Sequence, residues 1–495
     1  MDDVSQKSIF TRLAALLVGN GLSQVINTLF ILILVRIFTQ EQYAIYRLGN
    51  QMIVTLSPFF VFGLPMTISM FIPKYKDKET RMRFVFQTIF LLFGLGLIGG
   101  ILIQSNHALV YRIFGNEKLL DYLWVFALSF FTEVVFSYFP FYMTSENKNR
   151  KLAISVTALS LVKVSSILFA ILMGNDFQIF MYAFAVSCII RLIYVIVEPL
   201  HYYRAGIIKK FKRVDTVPQL KQSIPIGMTN VVAAFGRNLG SNLVAIRYDT
   251  IKYAIYVTGA FEVPLIGILR TSITGAVLPN FSQMFSDSNL DAQDEIIKSF
   301  RKTVALSSII VMPLMIGLIT YSYGAIALLF PGFQESNVIF KIFMLLLPTQ
   351  IANFSTLLLV ANRQKKVLFY CMMGIVINIS AFYILANTLG FFFVAFSTVL
   401  SEYMQLVLIL YDVKKSYHQK SIFSVLPMGL LLRVIISNTL ISTGIFMSMR
   451  QTMNPNLPLH AVFLGAITFS ICVIINALFI PEIRGKVKEI VCRMR

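Results

Sequence analysis

Residues 84–105 read FVFQTIFLLFGLGLIGGILIQS, a run without one charged side chain and long enough to cross the hydrocarbon of a bilayer as a single helix. Thirteen more predominantly apolar stretches lie on either side of it, near 13–35, 48–72, 119–143, 152–173, 177–199, 223–246, 253–280, 303–330, 337–361, 367–387, 391–411, 424–449 and 459–480. The chain is 57% hydrophobic and 13% charged, with a mean hydropathy of +0.75. The connections between the stretches are too short for a sizeable aqueous domain. The predicted fold class is therefore an all-α polytopic membrane protein of about 14 transmembrane helices.

A formal net charge of +20 would suggest nucleic acid if the basic residues covered a soluble surface, but they sit in short loops between spans. Counted on alternate sides, Lys and Arg number 30 on one side and 7 on the other. That asymmetry predicts both termini in the cytoplasm. The N-terminal MDDVSQKSIFTR carries acids and no small-residue cleavage site, so the first span is expected to stay in the protein. Cysteines at 188, 371, 472 and 492 form no CxxC and no Cys/His cluster, and read as apolar filler rather than a disulfide framework or metal site. There is no GxxxxGK[ST] phosphate loop, no HExxH and no GxSxG, so neither nucleotide hydrolysis nor hydrolytic catalysis is expected. No catalytic residue, cofactor or metal ligand is assigned.

The chain repeats itself. Tyr43-Ala44-Ile45-Tyr46 followed by Gly49 recurs as Tyr253-Ala254-Ile255-Tyr256 followed by Gly259, each copy at the start of an even-numbered span. Six spans separate the copies, an even number, so the halves share one orientation, as parallel transporter repeats do. The predicted organisation is an N-terminal lobe over 1–200 and a basic cytoplasmic linker over 201–222 containing IIKKFKR. A C-terminal lobe over 223–412 follows, then two extra helices and a basic tail over 413–495.

Ionisable groups at membrane depth cost about 2.5–3.5 kcal/mol each on insertion scales, so those that persist face a cavity or a partner. Span 1 places Asn20, Gln24 and Asn27 on one helical face, and span 7 does the same with Asn230, Arg237, Asn238 and Ser241. Span 8 carries Thr258, Glu262, Arg270 and Thr274 at four- and eight-residue intervals. Span 2 opens with Arg47, Gln51 and Thr55. The competing reading is helix–helix glue, which is ordinary for a lone amide such as Asn20 and harder to accept for Arg237. For Lys163, Arg191 and Glu133, in spans 4 to 6, mutual pairing is the leading reading. Arg433 is either a lipid-head contact or a snorkelling side chain. Pro58, Pro65, Pro264 and Pro313 predict kinks, and Gly96 with Gly100 a close-packing face.

The segments VRIFTQEQYAIYRLGNQMI, LKQSIPIGMTNVVAAFGRNLGSNLVAIRYDTIKYAIYVTGAF, AVLPNFSQM and RKTVALSSIIVMPLMIGLI resemble the polysaccharide-transporter branch of the MOP (multidrug, oligosaccharidyl-lipid, polysaccharide) superfamily. The resemblance covers essentially the whole chain. It implies a MATE-like fold of two six-helix lobes plus two C-terminal helices, and a flippase for undecaprenyl-diphosphate-linked O-antigen or capsule repeat units in the bacterial inner membrane. Spans 1, 2, 7 and 8 would line the cleft. Arg237, Arg270 and Arg47 would then meet the diphosphate, and Asn20, Gln24, Asn27, Asn230 and Asn238 the sugar hydroxyls. Glu262 is the candidate coupling-ion residue. Expected partners are the lipid-linked oligosaccharide, membrane lipid, and a polysaccharide polymerase with its chain-length machinery. The alternatives within the superfamily are a cation-coupled exporter of small molecules and a lipid II flippase. MATE exporters usually carry an acid in span 1, and residues 13–35 hold none.

Overall fold

The computed structural model describes residues 21–204, 214–263, 266–267, 281, 290–361, 363–450 and 453–479. Among these residues every regular element is helical, as expected from the apolar runs. Nine helices are long and apolar enough to cross a membrane, or up to eleven if each of two bent pairs counts as one span, among the described residues. The chain divides into two compact units, Met1–Ala254 and Ile255–Arg495.

The first unit comprises α1 (Gly21–Ile37), α2 (Gln40–Val61), α3 (Leu64–Phe71), α4 (Lys78–Ser105), α5 (His107–Phe114), α6 (Glu117–Asp121), α7 (Leu123–Phe136), α8 (Tyr138–Ser145), α9 (Asn149–Leu172), α10 (Phe177–Arg204) and α11 (Thr216–Arg247), with α12 (Thr250–Gly259) crossing its boundary. Thr39 caps α2 in a reciprocal box with Gln42, and the Asp77 carboxylate caps α4 by accepting from the Thr80 amide. The Asp77 bonds with Thr80 hold its carboxyl below the usual range. Aromatic rings fill the interior: Phe30, Phe38, Tyr46, Phe177, Phe180 and Phe184 meet in edge-on or tilted pairs between α1, α2 and α10.

Span 2 is broken. The helices Gln40–Val61 and Leu64–Lys74 meet at 49°, where Phe62 and Gly63 take left-handed backbone angles of φ 41° and 75°. Pro58 and Pro65 flank the break, so backbone donors are missing on both sides of it. Span 10 is broken in the same way, with Ser336–Met344 and Leu347–Val360 bent by 45° and Pro348 at the start of the second segment. The predicted continuous helix over 253–280 also ends early. α12 stops at Gly259 and residues 261–263 are irregular, immediately before Pro264 in the sequence, which disfavours helix in the residue preceding it. Thr258 and Glu262 therefore do not share a helical stripe.

The two YAIY copies serve equivalent packing. All eight of their residues are buried. A Cβ on Gly49 would lie 2.2 Å from the Phe126 ring of α7, and one on Gly259 would lie 2.6 Å from Ile339 of the Ser336–Met344 helix. Each glycine lets the helix that lies two spans later approach closely. In the second unit, the Met428–Met449 and Pro458–Ala477 helices are joined by a buried amide pair, Asn476 Nδ2 donating to Asn438 Oδ1 at 2.9 Å.

Candidate substrate site

Polar side chains from α2 and α11 meet on one seam. Gln51 Nε2 donates to Asn242 Oδ1 at 2.9 Å, and Thr55 Oγ1 donates to the same oxygen at 3.0 Å. Gln51 Nε2 also lies 3.5 Å from Asn238 Oδ1, while Asn238 Nδ2 donates back to the Ala234 carbonyl at 2.9 Å. Asn242 Nδ2 is buried and has no hydrogen-bond partner among the described residues. A buried donor left unmade costs roughly 1–3 kcal/mol, so this seam carries polar capacity that packing alone does not use.

Arg237 and Asn230 lie on the flank of α11 beside that seam. Both are exposed, and among the described residues neither makes a hydrogen bond or ion pair. Arg47, half-buried one turn before Gln51, has its guanidinium 6.0 Å from the Tyr43 ring centroid, and its carbonyl accepts from Tyr253 Oη at 3.2 Å. Four predicted residues, Arg47, Asn230, Arg237 and Asn238, thus belong to one pair of helices. Asn242, one helical turn after Asn238, completes the seam although it was absent from the sequence-based set. Its i+4 spacing from Asn238 was the available signal.

The span 1 residues are placed elsewhere in the unit. Asn27 Nδ2 donates to the Ser23 carbonyl at 2.8 Å and lies 3.3 Å from Ser160 Oγ, and Ser23 and Ser160 share a buried hydroxyl bond of 2.6 Å. Asn27 therefore takes part in an α1–α9 joint. Gln24 is half-buried, and its carbonyl accepts from Thr28. Glu262 is exposed in the irregular segment after α12, with no ion pair among the described residues. Asn20 and Arg270 lie outside the described residues.

The charges of spans 4 to 6 divide. Arg191 Nη1 pairs with Glu133 Oε2 at 2.6 Å, and its guanidinium stacks 3.8 Å over the Phe136 ring. Lys163 instead directs its ammonium at Phe30, 4.5 Å from the ring centroid, with the Phe184 and Tyr46 rings at 5.9 and 6.0 Å. Arg433 is exposed on the Met428–Met449 helix. Cys188 and Cys472 are free and buried, as filler would be.

Residues 11–285 match the family described as polysaccharide biosynthesis protein. No curated protein matches the chain. Among solved structures, the lipid II flippase MurJ in an inward closed conformation is similar with a TM-score of 0.68 at 19% identity, covering 92% of this chain and 97% of that one. A MATE transporter in complex with MaD3S gives a TM-score of 0.56 at 16% identity, over 84% of this chain and 96% of the other. A MOP superfamily transporter from Pyrococcus furiosus gives 0.55 at 16% identity, over 83% and 96%. At these identities the likeness speaks for the fold, and the sequence match speaks for the family. With more than half its length matched and a MurJ- and MATE-like all-helical fold, the chain belongs to the polysaccharide biosynthesis protein family of the MOP superfamily.

Proposed function

We propose that the chain is a flippase that carries undecaprenyl-diphosphate-linked oligosaccharide, an O-antigen or capsule repeat unit, across the bacterial inner membrane by alternating access. A diphosphate with a string of sugars cannot cross hydrocarbon unaided, because its hydration would be lost without replacement. The observation that carries the reading is the guanidinium of Arg237, exposed on α11 beside Asn230 and the Gln51–Asn242 seam and unpaired among the described residues. A guanidinium fork matches phosphate oxygens bidentately, and amides exchange hydrogen bonds with sugar hydroxyls in either direction. The polyprenyl tail stays in the lipid throughout.

Arg47 and Arg270 are proposed as further phosphate contacts, with Asn20, Gln24, Asn27 and Asn238 on the glycan. Glu262 is proposed as the site of the coupling cation, since its carboxylate is exposed and unpaired among the described residues. The basic loops and both termini are assigned to the cytoplasm on the charge asymmetry. A polymerase and chain-length machinery would receive the flipped unit. Deleting the gene tests the reading: one surface glycan should disappear while its lipid-linked unit accumulates on the cytoplasmic leaflet. Unchanged lipid-linked intermediates together with lost efflux of a small molecule would favour the cation-coupled exporter instead.

A further inference from the structure

α5 and α6 form a small cap on the side of the first unit that the charge asymmetry assigns outside. Gly115 ends α5 with a left-handed φ of 62°, which turns the chain into α6. Buried Val110 and Leu119 anchor the inner faces of the two helices. Two side chains tether the pair. Asn116 Oδ1 caps α6 by accepting from the Leu119 N–H at 3.1 Å, and Asn116 Nδ2 donates to Thr250 Oγ1 at 3.0 Å, just beyond the end of α11. Lys118 Nζ reaches Glu41 Oε2 at 2.9 Å, in the first turn of α2. The cap is therefore fixed to the ends of the two helices that carry the Gln51–Asn242 seam.

An open cavity of about 420 Å³ in this cap is lined by His107, Ala108, Tyr111, Glu117, Leu120 and Asp121. Its volume falls within the range of about 300–1,000 Å³ usual for small-molecule sites. Glu117 and Asp121 are one turn apart, so two like charges share a face of α6, an arrangement that weakens a helix. Lys118, between them in sequence, turns to Glu41 instead. Among the described residues neither carboxylate makes a hydrogen bond or ion pair, and the Tyr111 ring, 44% exposed, stacks on no other ring. A bound metal ion would use the two acids, but among the described residues no three His, Cys, Asp or Glu side chains are placed to hold one. A neutral sugar suits the lining better. Its hydroxyls donate to carboxylates in charge-assisted bonds, and its apolar C–H face packs on an aromatic ring.

We propose that this cavity is an exit site for the glycan, taking one end of the translocated unit with Tyr111 against a sugar ring and Glu117 and Asp121 on its hydroxyls. The inference rests on the cargo being a lipid-linked oligosaccharide. Arg237 lies ten residues before the end of α11, about 15 Å along its axis. A glycan whose diphosphate is held at Arg237 and whose sugars extend outward along α11 arrives at the Asn116–Thr250 contact, next to Glu117. The two carboxylates repel the diphosphate itself, so the cavity accepts the sugars and rejects the charged end.

The test uses the full chain in nanodiscs, with the native cysteines replaced and a single reporter from Ala108→Cys in the cavity wall. Its labelling rate by a hydrophilic thiol reagent is measured with and without the oligosaccharide that mild acid releases from the lipid-linked intermediate of the deletion strain. That probe carries no diphosphate, so it reads sugar binding alone. Protection should be saturable, reaching about tenfold at ten times the Kd. Tyr111→Ala, and Glu117→Gln combined with Asp121→Asn, should each abolish it, while a reporter from exposed Asn454→Cys should show none. Equal rates with and without the oligosaccharide, protection that survives both cavity variants, or protection by calcium in its place would overturn the glycan site. A deletion strain that accumulates no lipid-linked oligosaccharide is a different failure: it removes the cargo reading, and the ligand of this site with it.

Discussion

Gly63 and Gly227 touch through their backbones: a Cβ on Gly63 would lie 2.7 Å from the Gly227 nitrogen, and one on Gly227 would lie 2.6 Å from the Phe62 carbonyl carbon. Neither neighbour can yield as a flexible side chain can. The contact sets how near α11 comes to the break in span 2, and with it the position of Arg237 and Asn242.

Gly227→Ala should accordingly destabilise the protein by about 1–3 kcal/mol, the usual cost of overfilling a packed contact. Gly63→Ala adds the strain of a left-handed residue at φ 75°. Gly444→Ala, at a helical position with open space around the added methyl, is the control and should be neutral or slightly stabilising. Thermal aggregation of the detergent-solubilised protein measures all three, and a Gly227→Ala midpoint equal to that of the parent would contradict the close contact.

Arg237→Lys keeps the charge and loses the fork, so binding of a diphosphate should weaken by about 1–3 kcal/mol. Arg237→Ala should lose more, yet reach the membrane at normal abundance, because the exposed guanidinium makes no described hydrogen bond or ion pair whose loss would unfold the protein. Membrane abundance and glycan export are read together. Full export by well-expressed Arg237→Ala would remove the phosphate role.

If Glu262 binds the driving proton or cation, Glu262→Gln should abolish uphill transport and leave substrate binding largely intact. The measurement pairs a transport assay under an imposed ion gradient with equilibrium binding of the lipid-linked glycan. Wild-type transport by the variant would reduce Glu262 to a solvated acid.

The 30 to 7 charge split predicts which loops face outside. Cysteines replacing Glu117 and Asn454, both exposed, should react with an impermeant thiol reagent applied to intact cells, and cysteines replacing Lys78 and Lys365 should not. Asn116 is a poor probe position, since it is buried and donates to Thr250 Oγ1 at 3.0 Å. The reverse labelling pattern would invert the assigned orientation.

The apolar runs, the loop charges and the doubled YAIY tetrapeptide determined the all-helical membrane fold and where two of its tightest helix contacts fall. Hydropathy and helical spacing are local properties, complete within some twenty residues of chain. The faces of α2 and α11 that carry Gln51, Arg237 and Asn238 were legible for the same reason. Partnership was not. Asn242 is tied to Gln51 across 191 residues and Asn27 to Ser160 across 133, and nothing in either stretch marks which amide will find which helix. The breaks behaved likewise: Pro58 and Pro65 announced a kink, but that it falls at Phe62 and Gly63, against the backbone of α11 at Gly227, is seen only in the fold. Lys163 shows the limit most plainly. Its charge invited a carboxylate partner, and the fold presented three aromatic rings, because Glu133 already held Arg191 and only tertiary packing could decide between the two cations.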